Sequence, residues 1–289
     1  MGKLMLWSLR NAKLVIITLI AGYYAIQIRV DSSTEGLMIS GDPAKDYHRD
    51  TVRKFGSDNI TVVFVRDKNL FTPEKLKDVE KVYYELKDLK FEPKNPEEYV
   101  KVKDPEEYLK LKYPAVYTEL SKKPEEYAKL AKNPEEYGKL VNDLEAYLKP
   151  KFPDKYKELL KTKTNLTKEE YNNLVQEAVG RIGKPGVGRC ESLFSVTNFK
   201  GVGGGLETNP LMDRAPDTVE DAKRIQADAM KSPLFMDSLI SKDGQMTAIN
   251  LYVDVDPSDP EFHTNFSKKV DEVTARYQSK FDRVFQFGN

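Results

Sequence analysis

The stretch NITVVFVRDKNLFTPEKLKDVEKVYYELK, residues 59–87, decides the fold. Its first part, residues 59–67, is a β-branched run of strand length. Thr72 is then a natural N-cap, and Pro73 suits the first helical position, where its missing N–H has no intrahelical partner. Leu76, Val79, Tyr83 and Leu86 recur on one helical face. The spacing therefore predicts a strand followed at once by an amphipathic helix.

Residues 184–289 have the same texture. Residues 190–199, CESLFSVTNF, read as a strand, and the glycine-rich residues 201–205 as a flexible loop. Asp217 or Thr218 opens a helix with Val219, Ala222, Ile225 and Ala229 on one face. Residues 234–241 and 245–254 read as two strands joined through Lys242-Asp243-Gly244, a hairpin signal. Phe262, Phe266, Val270, Val273, Tyr277 and Phe281 mark a long amphipathic helix, and Val284, Phe285 and Phe287 begin a last strand. The order strand, helix, strand, helix, hairpin, helix, strand predicts an α+β sandwich of the ferredoxin-like, split-βαβ kind over residues 31–90 and 184–289.

Between these parts lies an insertion of a different kind. Residues 91–183 hold 18 basic and 18 acidic side chains and are built from a short repeat. Its clearest copies are Asn95-Pro96-Glu97-Glu98-Tyr99, Asp104-Pro105-Glu106-Glu107-Tyr108, Lys123-Pro124-Glu125-Glu126-Tyr127 and Asn133-Pro134-Glu135-Glu136-Tyr137, with weaker copies at Tyr117, Tyr147, Tyr156 and Tyr171. Asn or Asp caps, Pro takes the first helical position, and two Glu sit in the first turn, where the helix dipole favours anions. A continuous helix would carry several interior prolines at about 3 kcal/mol each, so the repeat predicts a string of two-turn helices. Helices so short are not stable alone; either their Tyr/Leu faces pack, or the segment is a loose solvated spacer. Tyr108 and the pairs Tyr117 with Leu120, Tyr127 with Leu130 and Tyr137 with Leu140 form the candidate interaction face.

At the N-terminus, residues 14–30, LVIITLIAGYYAIQIRV, are uncharged until Arg29. At 1.5 Å per residue they span roughly 26 Å, near the lower limit for a bilayer's hydrocarbon core of about 30 Å. Trp7, Tyr23 and Tyr24 suit the interface, and Arg10, Lys13 and Arg29 supply flanking or snorkelling cations. The reading is a transmembrane helix behind a cytoplasmic or interfacial segment, residues 1–13, with the rest exported by the positive-inside rule. The rival is a cleaved signal peptide, whose small-x-small cleavage site is poor at Ala21-Gly22-Tyr23 and Ala25-Ile26-Gln27. Nothing after Val30 is apolar and long enough to span again.

Composition narrows the function. The 289 residues carry 46 basic and 46 acidic side chains, so the formal net charge is zero, which argues against a broad nucleic-acid binder. The single cysteine, Cys190, excludes an intramolecular disulfide framework and multi-Cys metal sites. His48 and His263 leave little for His-based metal or acid–base chemistry, and no Ser-His-Asp or paired-carboxylate set can be assembled, so no enzyme and no cofactor is expected. Residues 201–205 lack the Gly-Lys-Ser/Thr ending of a phosphate loop. Asp254, Asp256, Asp259 and Glu261 lack the EF-hand pattern and read as loop residues rather than calcium ligands.

One series of motifs adds to this. Asp31-Ser32-Ser33-Thr34-Glu35-Gly36-Leu37, Asp42-Pro43, Phe55-Gly56-Ser57-Asp58, Leu70-Phe71-Thr72-Pro73-Glu74, Cys190-Glu191-Ser192-Leu193, Asn209-Pro210-Leu211, Lys231-Ser232-Pro233-Leu234 and Ser241-Lys242-Asp243-Gly244 follow in order behind a single anchor. The series resembles the N-terminal part of bacterial RND-superfamily exporters of the MMPL-like branch, over roughly residues 1–90 and 184–289. The resemblance implies a first transmembrane helix and a first periplasmic porter domain, anchored in the inner membrane with its N-terminus cytoplasmic. It implies a route for hydrophobic or amphipathic cargo, moved only with further membrane helices. The tandem Pro-Glu-Glu-Tyr array departs from that pattern. The alternative reading is a single-anchor periplasmic subunit that uses the array to bind a partner or a second copy of itself. Expected partners are membrane lipid and the remaining transporter helices or a separate membrane or periplasmic protein, with no nucleic acid.

Overall fold

The computed structural model describes residues 59–123, 125, 127, 140–161, 165–202 and 205–288. They fall within the unit Asp50–Asn289. The anchor residues Trp7, Arg10, Lys13, Tyr23, Tyr24 and Arg29 lie outside the described residues, as do Leu130 and Tyr137. Among the described residues no helix is long and apolar enough to cross a membrane.

Strand β1, Ile60–Arg66, lies inside a four-stranded sheet. Its alternation is the period-2 signature of a strand covered on one side: Thr61, Val63 and Val65 are buried, whereas Val62 and Phe64 are half-buried on the other face. Helix α1, Pro73–Lys87, follows and buries Leu76, Val79, Val82, Tyr83 and Leu86. Thr72 takes the N-cap position, but its hydroxyl donates back to the Asn69 carbonyl at 3.1 Å instead of capping the helix.

The chain next runs through helices α2 (Pro96–Lys103), α3 (Pro105–Lys112), α4 (Pro114–Ser121), α5 (Leu144–Lys151), α6 (Tyr156–Lys161) and α7 (Lys168–Ile182). It returns as strand β2, Gly186–Glu191. Strands β3 (Thr197–Val202) and β4 (Gly205–Pro210) pair with each other in a separate two-stranded sheet. Helix α8 (Val219–Lys231), strand β5 (Met246–Asp254), helix α9 (Phe262–Tyr277) with a 3₁₀ turn at Gln278–Lys280, and strand β6 (Arg283–Gly288) complete the chain.

The main sheet runs β2-β5-β1-β6 and every neighbouring pair is antiparallel. Helices α1 and α9 share one side of it. The Tyr277 hydroxyl and the Arg276 guanidinium of α9 both reach the Glu85 carboxylate of α1, at 2.6 and 2.5 Å. The chain is therefore an α+β protein with one helical layer and one open sheet face. Among the described residues, the buried side chains of its main core come from residues 63–86 and 187–284. The insertion leaves that core and comes back to it without contributing a fully buried residue.

Two expected strands fold differently. Residues 190–199 do not form one strand, because β2 ends at Glu191 and the chain turns at Ser192. The Ser192 hydroxyl accepts from the Phe194 N–H and the Ser192 carbonyl accepts from the Ser195 N–H, at 3.1 and 3.0 Å. Such local bonds compete with a ladder, and the turn drops Leu193 and Phe194 into the core. Residues 234–241 curl instead of extending: the Phe235 carbonyl accepts from both Leu239 and Ile240 N–H groups, and Asp237 has φ 63. The segment pairs with β5 through a single bridge, Ile240 opposite Thr247, in which the Ser241 N–H donates to the Met246 carbonyl and the Ala248 N–H to the Leu239 carbonyl, both at 3.0 Å. The turn at Gly244 is nevertheless present, with a 2.8 Å bond from its N–H to the Ser241 carbonyl and φ 65. Of the glycine-rich residues 201–205, Gly201 and Val202 end β3, Gly205 begins β4, and Gly203 and Gly204 lie outside the described residues; Val219 is 46% exposed at the start of α8.

Candidate interaction surface: the helical arm and its neck

In the insertion, termed the arm, α2 and α3 start as the repeat dictates, α5 keeps the side-chain cap but begins at Leu144 with Pro150 inside it, and α4 begins at Pro114 behind Tyr113 with no side-chain cap. The Asn95 side chain accepts from the Glu98 N–H at 3.2 Å, Asp104 from Glu107 at 3.0 Å and Asp143 from Ala146 at 3.0 Å. Each such cap contributes about 1 kcal/mol. Thr167 and Glu170 form a reciprocal capping box at the start of α7. Caps alone do not hold two-turn helices, and the arm supplies two cores of its own. Near the neck Tyr99, Val100, Tyr108, Val175, Ala178 and Val179 are buried together, from α2, α3 and α7. Further out Leu109, Val116, Leu120, Leu140, Leu144, Leu148 and Leu159 form a second cluster. Tyr113 and Val141 touch both. The described part of the arm is thus a packed helical body and not a loose spacer.

This packing relocates the expected face. Tyr108, Leu120 and Leu140 are buried in the arm itself. Tyr117 and Tyr127 are half-buried, with rings in edge contact at 6.0 Å. In α2 and α3 the buried pair is the tyrosine and its next neighbour, Tyr99 with Val100 and Tyr108 with Leu109, and Val102, three residues after Tyr99, is 51% exposed. A two-turn helix covered by neighbours on more than one side buries adjacent positions, which an i,i+3 stripe does not anticipate.

The acidic repeat positions serve this packing. Glu106 receives Lys110 at 2.8 Å and the Tyr117 hydroxyl at 3.3 Å, and Tyr127 also bonds to it. The Lys110 bond, with these hydroxyls, holds the Glu106 carboxyl below its ordinary pKa against partial burial. Closer to the neck Glu97 pairs with Lys112, whose ammonium lies 5.6 Å from the Tyr108 ring centroid. Burial opposes the charge on Lys112, but the Glu97 hydrogen bond and the neighbouring Tyr108 and Glu97 charges outweigh it and raise its pKa. The Tyr171 hydroxyl is buried beside this pair; burial, and then the Glu97 charge, raise its pKa.

The neck joins arm to sandwich through bonds distant in sequence. Lys90 bridges Gly186, the Phe91 N–H donates to the Pro185 carbonyl at 2.9 Å, and the Val187 N–H donates to the Leu89 carbonyl at 2.9 Å. Gly186 is required here: its φ is +127 and a Cβ would lie 2.3 Å from the Leu89 oxygen. The Phe91 ring sits 5.4 Å from Phe262 and 6.0 Å from Phe266. The Tyr99 hydroxyl donates to the Gly183 carbonyl at 2.8 Å, and burial pushes its pKa up to about 12.

Asp256 is the centre of this latch. The residue is 2% exposed, and its carboxylate accepts from the Lys94 N–H at 2.7 Å, the Ser258 N–H at 2.9 Å and the Ser258 hydroxyl at 2.7 Å. Ser258 Oγ in turn accepts from the Asn95 N–H at 2.9 Å, and Asp259 pairs with Lys94 Nζ at 3.0 Å. The Asp256 and Asp259 carboxylates are thus engaged by protein donors. Sequence reading treats Asp256-Pro257-Ser258 as a loop; its composition signals a local turn, but nothing in it points to Lys94.

Among the described residues no group of three His, Cys, Asp or Glu side chains is placed to hold a metal ion. Cys190 is buried, and burial pushes its thiol up to about 12, where it is a poor nucleophile at neutral pH. Comparison with protein-family models, curated proteins and solved structures finds no match to this chain.

Proposed function

We propose that this chain is the membrane-anchored first porter domain of an RND/MMPL-like exporter, with residues 14–30 as its anchor and residues 31–90 and 184–289 as its periplasmic domain. The observation that carries the reading is the sheet order β2-β5-β1-β6, all antiparallel, with α1 and α9 on one side. Counting only elements of that sheet and its helical layer, the chain order is strand, helix, strand, strand, helix, strand, an order that supports the split-βαβ, ferredoxin-like reading. The β3–β4 hairpin and α8 are then an excursion between the second and third strands, and the arm an excursion in the first crossover. A sheet covered on one side leaves an open face for a neighbouring domain or an amphipathic cargo, and rocking of such a rigid layer would open and close a cleft. In this reading the energy for that motion would be supplied by partner membrane helices.

The packing of the arm favours a second role beside this one. A body with its own two cores keeps a fixed shape, so it can present a surface to a periplasmic partner with little ordering cost. Alkaline carbonate extraction of bacterial membranes tests the anchor, and a reporter enzyme active only in the periplasm, inserted at the Leu166 loop, tests the side. The expected result is a carbonate-resistant protein with an active reporter; release into the supernatant or a silent reporter refutes the reading.

A further inference from the structure

Among the described residues strand β6 is an edge of the main sheet, paired with β1 on one side only. An edge of this kind is a template for another strand, and proteins manage it explicitly. Here the device is Gln278, in the 3₁₀ turn after α9. Its side-chain Nε2 donates to the Val284 carbonyl, and its Oε1 accepts from the Val284 N–H at 3.4 Å. One primary amide thus makes both bonds that a residue of an added antiparallel strand would make. It also shows that the Val284 peptide groups point away from β1, so by alternation those of Gln286 do as well. No side chain among the described residues caps Gln286's backbone; its own side chain turns to Ser267 and Asp271.

The same strand carries Phe287, which at 74% has the greatest exposure of the large apolar side chains among the described residues. It lies on the open sheet face beside Phe285, whose ring meets Phe64 at 5.2 Å. We propose that Gln278 is a displaceable cap on a homodimerisation edge. With the amide moved aside, β6 pairs antiparallel with β6 of a second copy about a two-fold axis through Gln286. A second copy is the occupant because the strand is complementary to itself in this register. Phe285 faces Phe287 of the other copy twice, covering the exposed ring with an aromatic cross-strand pair. Val284 faces Gly288, which leaves room for it. Arg283, the one charged residue of β6, stands at opposite ends in the two copies, about 20 Å apart at 3.3 Å per residue, beyond the Debye length of about 8 Å at physiological salt. The chain's zero net charge adds no overall repulsion.

The test is sedimentation of the full chain in density-matched detergent, comparing the natural sequence with Gln278→Ala, Phe287→Lys and the double variant. Gln278 is exposed, so its truncation leaves the core intact. The expected result is a monomer for the natural chain, dimerisation at least roughly tenfold tighter for Gln278→Ala, as the loss of two competing hydrogen bonds implies, and a monomer again for the double variant. Amide exchange at Val284 should quicken in dilute Gln278→Ala and slow again on dimerisation. If Gln278→Ala precipitates, recovery of soluble monomer by added Phe287→Lys supports the proposal and continued precipitation overturns it. A monomeric, folded Gln278→Ala at high concentration overturns it, and so does a dimer that Phe287→Lys leaves untouched. A natural chain already dimeric through β6 overturns the role of the cap.

Discussion

Replacing Asp256 by Ala would cut the arm's latch at its centre. The carboxylate is almost completely buried and takes three hydrogen bonds, two from Ser258 in its own turn and one from the Lys94 backbone in the neck. Hydrogen bonds to a charged group contribute about 1.5–3 kcal/mol each, but the donors at this edge regain part of that from water. Counting the Lys94 bond in full and the two Ser258 bonds at about half, the expected loss is roughly 3–6 kcal/mol, a large share of a domain's usual 5–15 kcal/mol. Loss of the Ser258 position also weakens its bond from the Asn95 N–H, so the first turn of α2 should loosen together with the latch. Urea unfolding followed by circular dichroism gives the stability, and amide exchange by mass spectrometry shows where it is lost. Exchange should quicken over residues 92–103 and 255–262 and stay unchanged in the centre of β1. A stability change under about 1 kcal/mol, or quickened exchange confined to residues 255–262, would refute the view that Asp256 fastens the arm to the sandwich.

Further expectations concern the arm and the buried thiol. Because the folded Glu106 carboxyl is held below its ordinary pKa of 4.5, its stabilising effect is complete above that value and is lost as pH falls through the folded one. Glu106→Gln should therefore flatten the acid limb of arm unfolding and lower arm stability at pH 7. The Tyr99 phenol behaves oppositely: raised from 10.0 to about 12, it contributes stability that is full below pH 10 and disappears as pH rises through 12, and Tyr99→Phe should remove that alkaline loss in a thermal-melt pH series. Cys190 should label with a maleimide at pH 7 only when the chain is unfolded; labelling of the native protein within minutes contradicts its burial. Because Lys90 already bridges Gly186, replacing residues 93–182 by a four-residue turn should leave a sandwich that unfolds in a single cooperative step, and gradual unfolding would mean that the arm supports the main core.

By itself the sequence determined the elements whose signals are local. The β-branched run of β1, the proline and acidic first turns of the arm, and the apolar stripe of α9 each state their own conformation, because strand period, helix period and capping act within a few residues. The sequence also separated the arm from the sandwich, since a repeat of charged, proline-started units has no place in a β-rich core. The tertiary structure alone decided what these elements touch. Residues 190–199 and 234–241 have strand-like composition, yet Ser192 and Phe235 close local bonds that turn the chain into the core. The repeat tyrosines announce an apolar face, but only the neighbouring helices decided that Tyr108 is buried inside the arm and that the hydroxyls of Tyr117 and Tyr127 meet Glu106. The Asp256 latch and the Gln278 cap were hidden for the same reason. A carboxylate or an amide carries no mark of its acceptor or donor until the fold brings a residue such as Lys94, 162 positions away, within 2.7 Å.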